Sequence, residues 1–523
     1  MKEEVRKEIL SARLSHACRF SIDCKMFGAY CCISEIKGAI PLLHGPVGCA
    51  FFPKLVPPDA IRTKLLGVNF SSPFPCTDMN EKDVIYGGAE KLRKAILEVD
   101  RYYKPDLIGV IISCPAAIIG DDVKDVVRRV KPEIDAEILY TPSSAGFSDD
   151  ERVEDFNRHA EDLISVWKDP DKKPKWGIEK CGRLDTIYSI VEQLVEEPKE
   201  KIKNSINIDT YGRFHWFEDL EGEIKEIKKI LKEIGIFVNT VFPGCSVKEI
   251  KDMAKAELNF MRRSERSAIL MKERFGIDYI FDIFGNRYVG IEGAKRFYLD
   301  VAERFGLKKR AEQVLREVER SLWDKVNEVK SRIKGKRIAY VCTPLYTTPK
   351  FVRLLESLGL EIKAFFINTG WWRKWGMSCG TAKRLANELI SNLELSSSAS
   401  IYIDLKLYDE LEAIKESGVD LVVCDVFVSD RSRAMFYESH SIPSLSPHAM
   451  GYSSFRISFF QVIKLAKMVE DAVNSKRLSK ELIYFRYRYH PERFPTMLSD
   501  LSDELRWEKI MKKIWRDKKR CNS

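Results

Sequence analysis

A chain of 523 residues is too long for one ordinary hydrophobic core, so two to four domains are expected. With 45% hydrophobic and 32% charged residues the composition is globular, and the net charge of +9 gathers in a tail, Lys476 to Ser523, that holds fourteen Lys/Arg against seven Asp/Glu. Met1 to Leu10 mixes both charge signs without an apolar run, and the longest clean apolar run, Leu107 to Gly120, is too short for a bilayer, so neither a secretory leader nor a membrane span is expected, and a cytoplasmic protein is.

Thirteen cysteines in such a chain point to thiols and metal ligands rather than disulfides. Seven of them, at 18, 24, 31, 32, 49, 76 and 114, lie in the first quarter of the sequence. The absence of any CxxC weighs against a zinc ribbon, a ferredoxin-type cluster and a thioredoxin site. The basic tail carries no nucleic-acid-binding motif, and Trp507, Ile510, Ile514 and Trp515 within it read as an amphipathic helix, so no nucleic-acid partner is expected.

The first strand signal is the apolar run Gly38 to Leu43, which ends in His44-Gly45-Pro46-Val47-Gly48-Cys49. A run of this length bounded by turn residues predicts a buried parallel strand, with Cys49 just past its carboxyl end, where open α/β sheets bind ligands. Leu107 to Ser113 repeats the pattern: Cys114-Pro115 follows the strand, and Asp121-Asp122 would cap a helix from Val123 to Val130. A lone thiol is usually a small core side chain. Two thiols at strand ends, with Cys24 as a third, read instead as ligands, whereas Cys18, Cys31, Cys32 and Cys76 read as packing residues.

Farther along, Ala136 to Tyr140 reads as a strand, Asp149 to Trp167 as a helix and Lys168 to Lys180 as a linker. Strands at Ser205 to Asp209, Ile236 to Val241 and Ala256 to Phe260 alternate with helices at Leu220 to Ile234 and Val247 to Lys255. Strands at Arg337 to Cys342, Leu360 to Phe366, Ser400 to Asp404 and Val419 to Val426 form a further series, before a helix from Phe455 to Val473. Alternation of this kind implies βαβ units and parallel sheets. Domains are expected at 1–203, 204–330 and 331–475, followed by the tail 476–523. Cys245 follows a strand and is a candidate ligand in the cleft, with a buried loop thiol as the alternative. The loop Asn368 to Cys379, with Trp371, Trp372 and Trp375, reads as the wall of a cavity or of a subunit interface. No Walker A sequence and no GxGxxG after a strand is present, so neither ATP hydrolysis nor dinucleotide binding is expected of this chain.

HGPVGCA at 44–50, TDMNEKDVIYGG at 77–88, and SCP at 113–115 with IGDD at 119–122 resemble the nitrogenase component 1 family, and the resemblance runs with gaps over roughly residues 18 to 475. The family includes molybdenum-iron protein chains, their cofactor-assembly scaffolds and nitrogenase-like reductases. The resemblance implies three Rossmann-like α/β domains with mainly parallel sheets around a central cleft. It also implies that Cys24, Cys49 and Cys114 hold an iron-sulfur cluster, four-iron four-sulfur or larger and P-cluster-like, at an interface with a homologous component 1 subunit. Electrons would come from a separate ATP-dependent iron protein.

Cofactor-binding members carry a second iron-sulfur-based cofactor, held by a cysteine after the strand matching Ala256 to Phe260 and by a histidine matching His448. Here Met261-Arg262-Arg263-Ser264 follows that strand, with no thiolate, so a dinitrogen-reducing alpha chain is not expected. A histidine pair of the catalytic chains is reduced here to His159, read as a surface helix residue. The readings left open are a reductase subunit, a scaffold for iron-sulfur cofactor assembly, and a beta-type partner without a catalytic cofactor.

Overall fold

The computed structural model describes residues 25–50, 74–141, 152–169, 182–209, 220–242, 244–261, 265–282, 287–288, 290–344, 348–374, 377–393, 399–425, 433, 437, 440, 442–445 and 459–474. Three parallel sheets, each wrapped by helices, make up this part of the chain.

The first sheet grows from α1 (Lys25–Ser34), β1 (Ala39–His44), α2 (Glu81–Tyr86), α3 (Ala89–Tyr103), β2 (Leu107–Ile112), α4 (Cys114–Ile118), α5 (Val123–Val130) and β3 (Glu137–Tyr140). Its strand order is β1-β2-β3, with His44 opposite Ile112. The central strand, Leu-Ile-Gly-Val-Ile-Ile, is buried at every position, as expected for a parallel strand covered on both faces. Leu92, Ile96 and Val99 of α3 and Val123, Val126 and Val130 of α5 recur at helical spacing and cover one face. The other face receives α1. A Cβ at Gly109 of β2 would lie 2.6 Å from the Ile33 side chain, so glycine lets the helix sit directly on the strand.

Next come α6 (Arg152–Lys168) and α7 (Gly182–Gln193), then β4 (Ser205–Asp209), α8 (Leu220–Ile234), β5 (Phe237–Phe242), α9 (Val247–Lys251), β6 (Leu258–Met261), α10 (Glu265–Phe275), β7 (Asp278–Phe281), α11 (Gly290–Arg304) and α12 (Lys308–Ile333). The second sheet has the order β5-β4-β6-β7. An amide ladder ties its centre. Asn207 Nδ2 donates to Asn259 Oδ1 and to the Met253 carbonyl, each at 2.8 Å, while Asn239 Nδ2 donates to Asn207 Oδ1 at 2.9 Å. Three amide side chains on neighbouring strands, those of Asn207 and Asn259 buried, are thereby linked and hold the strands in register.

The third sheet is built from β8 (Arg337–Cys342), α13 (Thr348–Ser357), β9 (Glu361–Ile367), α14 (Gly370–Lys374), α15 (Cys379–Ser391), β10 (Ser400–Ile403), α16 (Leu407–Glu416), β11 (Leu421–Asp425), β12 (Ser444–Leu445) and α17 (Phe459–Asn474). Its order is β10-β9-β8-β11-β12. A single apolar core runs from Ile206 to Ala472 and joins the second and third sheets through α12 and α17. Arg332 pairs with Glu470 across it, and the Phe459 amide donates to Glu226 Oε1 at 2.7 Å. Similarly, Ala160, Leu163 and Val166 of α6 pack on Trp372, Met377 and Leu385. Trp372 is therefore an internal anchor, its Nε1 donating to the Pro344 carbonyl at 3.2 Å, rather than the wall of an open cavity. Among the described residues no helix is long and apolar enough to cross a membrane.

Replacing Asn207 by Ala leaves Asn259 Oδ1 buried without its donor. Such a change is expected to cost about 1–3 kcal/mol, read as a lowered unfolding midpoint in denaturant.

Candidate metal centre

Because β1 and β2 are parallel neighbours in register, whatever follows each strand emerges at the same end of the sheet. Cys49 lies in a helical turn beginning at Val47, and Cys114 opens α4, two residues after β2. The Ser113 amide donates to the His44 carbonyl at 3.0 Å and extends the ladder into both loops. Beyond the other edge of β1, residues 75–79 run alongside: Leu43 N–H donates to the Pro75 carbonyl, Thr77 N–H to the Leu43 carbonyl, both at 2.9 Å, and Met79 N–H to the Gly45 carbonyl at 3.1 Å. Cys76 bridges Leu43 in this segment. It therefore stands at the same end of the sheet as Cys49 and Cys114, and like Cys49 it is half-buried against the α1 core.

His44, fully buried, binds these segments together. Its Nε2 lies 2.9 Å from Asp121 Oδ2 and its Nδ1 lies 3.1 Å from Thr77 Oγ1. A neutral ring satisfies both contacts, with Nε2–H donating to the carboxylate and Nδ1 accepting from the hydroxyl. Burial lowers the imidazole pKa below its ordinary value of 6.5, against the opposing pull of Asp121. Asp121 also accepts the Gly88 amide with both oxygens at 3.0 Å, and Thr77 Oγ1 accepts the Gly45 amide at 3.0 Å. One side chain thus ties the Cys49 loop, the Cys76 segment, the glycine pair after α2 and the loop after Cys114.

Glycines make the arrangement possible. A Cβ at Gly45 would stand 2.3 Å from Ser113 Oγ and 2.5 Å from Ser113 Cβ, and one at Gly88 would stand 2.8 Å from both Asp121 Oδ2 and His44 Cε1. Four large apolar side chains are exposed around this end: Val47 is 56% exposed, Ile118 78%, Ile85 71% and Tyr86 85%. The first two share the helical segments of Cys49 and Cys114, and the others belong to α2, whose end is anchored through Gly88 to Asp121.

Two half-buried thiols after adjacent parallel strands, with exposed apolar side chains nearby, suit a group that prefers soft sulfur donors. Among the described residues no group of three or more His, Cys, Asp or Glu is placed to hold a metal ion. Cys24 and His448 lie outside the described residues, as do residues 262–264 after β6, the side chain of His159 and the basic tail. Cys245 is placed as a buried loop thiol at the opposite end of β1 from Cys49. It is 3% exposed, burial pushes its thiol pKa up, and its carbonyl accepts the Lys37 amide at 3.0 Å, before the start of β1. The length of β1, about 20 Å at ~3.3 Å per residue, separates it from the end that carries Cys49.

A family model described as nitrogenase component 1 type oxidoreductase matches residues 24–175 and 177–463. The chain belongs to this family. It is 24% identical over 336 residues to a nitrogenase molybdenum-iron protein alpha chain of Methanosarcina barkeri, covering 63% of this chain and 56% of the relative. It is 28% identical over 346 residues to the nitrogenase iron-molybdenum cofactor biosynthesis protein NifE of Methanococcus maripaludis, covering 65% of this chain and 64% of the relative. In both cases the chain spans less than two thirds of the relative's length. The solved structure "Nitrogenase Cp1 at pH 5" superposes with a TM-score of 0.57 over 87% of this chain and 88% of that one at 19% identity, which establishes a nitrogenase component 1 fold.

Two expectations follow from the His44 network. Gly45→Ala forces Ser113 aside and is expected to destabilise the chain by about 1–3 kcal/mol in denaturant unfolding. Since His44 is held neutral, its contribution is full above pH 6.5 and declines as pH falls below it, because the unfolded chain then binds the proton more readily. His44→Gln is expected to lower the unfolding temperature at pH 8 and to flatten its fall between pH 6.5 and 5.

Proposed function

We propose that this chain is a subunit of a nitrogenase-like reductase complex. Cys49 and Cys114, joined by Cys24, hold its share of an iron-sulfur cluster at an interface with a homologous subunit, and low-potential electrons arrive from an ATP-dependent iron protein for reduction of a substrate in the cleft. The observation that carries this reading is the pairing of two thiols on adjacent strand ends with exposed apolar side chains, Val47, Ile85, Tyr86 and Ile118, at the same end. An exposed apolar surface around an incomplete donor set calls for a second protein surface to cover one and complete the other.

In this reading the cluster supplies one-electron redox chemistry when bound. The chain's own residues provide its support. His44, Thr77 and Asp121 fix where the two ligand loops stand, and Gly45 permits their close approach. The apolar rim excludes water from the joint, which raises the influence of each remaining hydrogen bond on the potential.

A scaffold that receives and passes on an iron-sulfur precursor is the second reading. It is favoured by the absence of a cysteine in Met261-Arg262-Arg263-Ser264 and by the likeness to NifE. A thiolate cannot be replaced there by Arg as an iron ligand, so any group held in the cleft lacks that anchor.

Cys49→Ala and Cys114→Ala, purified without oxygen, are each expected to lose most of the iron and acid-labile sulfide of the wild type and to weaken subunit association in size-exclusion chromatography. Full iron content in both variants would remove the ligand assignment.

A further inference from the structure

Ser113 is 1% exposed, and its hydroxyl has no hydrogen-bond partner among the described residues. It stands at the N-cap of α4 with the extended backbone of a capping serine, φ −76° and ψ 166°, yet its side chain does not cap the helix. Pro115 at the second helical position offers no N–H to accept. The hydroxyl lies instead against Gly45, where it occupies the place a Cβ would take. Ser113 thus sits between the loop that leads to Cys49 and Cys114, its neighbour in sequence. A buried hydroxyl without a partner destabilises the fold, and alanine would fill the same backbone position without that penalty. Thr141 and Thr343 also have unpartnered hydroxyls at strand ends, but neither neighbours a cysteine of the candidate centre, whereas Ser113 directly precedes Cys114.

We propose that Ser113 is a positioning residue for the interfacial cluster: its O–H donates to a sulfur of the bound group, a bridging sulfide or a ligating thiolate. This inference rests on the proposed function. A donor to cluster sulfur stabilises the reduced, more negatively charged state and raises the midpoint potential. No covalent step is involved, since the hydroxyl keeps its proton.

The test compares wild type, Ser113→Ala and Ser113→Thr, each the full chain with its partner subunit, prepared without oxygen. Iron and sulfide content, midpoint potential by EPR-monitored dithionite titration, and unfolding temperature after metal removal are measured. The expected result is full iron in both variants, a lower potential in Ser113→Ala alone, and an unchanged or higher unfolding temperature for metal-free Ser113→Ala. Iron-loaded Ser113→Ala with the wild-type potential overturns the proposal while leaving the cluster reading intact. So does a metal-free alanine variant that unfolds at lower temperature or fails to fold, since the hydroxyl would then have its partner within the chain. A wild type without iron contradicts the cluster reading itself, and the proposal with it.

Discussion

The candidate centre depends on one buried imidazole. His44 ends β1, and its two ring nitrogens reach a threonine 33 residues away and an aspartate 77 residues away. Each partner is itself committed: Thr77 receives the Gly45 amide, and Asp121 receives the Gly88 amide. Buried polar groups are stable only when mutually satisfied, so the four segments hold one relative position or lose several bonds together. The strand ends put Cys49 and Cys114 at one end of the sheet, and this network fixes how the segments around them stand.

The wider fold supports that end of the sheet without building it. The second and third sheets share a core through α12 and α17, and α6 packs on α14 and α15 of the third, so the three parallel sheets are tied by helices that leave their own sheet. The sequence boundary at residue 330 falls inside α12, whose Val326, Val329 and Ile333 are buried in the shared core. A long amphipathic helix between two sheets looks the same in sequence whether it packs on one neighbour or both.

The strands of the parallel sheets were largely legible as short apolar runs: Ser205 to Asp209 and Arg337 to Cys342 appear with the expected ends, and most others shift by one or two residues. β7 and β12 were not, since four residues and two residues become strands only by pairing with β6 and β11. Within the centre, the strand-end rule correctly placed Cys49 and Cys114 at one end of a sheet. Cys245 also follows a strand, but the carboxyl end of β5 faces the amino end of β1, so this thiol is buried away from the end that carries Cys49. Cys76 read as a packing thiol, but hydrogen bonds to Leu43 bring it to the centre's end of the sheet. The role of His44 was invisible in its motif, since its partners are remote in sequence; the turn-forming glycines were the only local trace. The same distance hid Ser113, whose neighbour Gly45 comes from another strand.

The most direct test of the account is an iron-edge anomalous difference map from crystals of the protein and its partner subunit, grown without oxygen. The account predicts iron within bonding distance of Cys49 Sγ and Cys114 Sγ, at a boundary lined by Val47, Ile85, Tyr86 and Ile118. Iron bound elsewhere with both thiols unligated, or a fully assembled complex with no iron at that end of the first sheet, would contradict it.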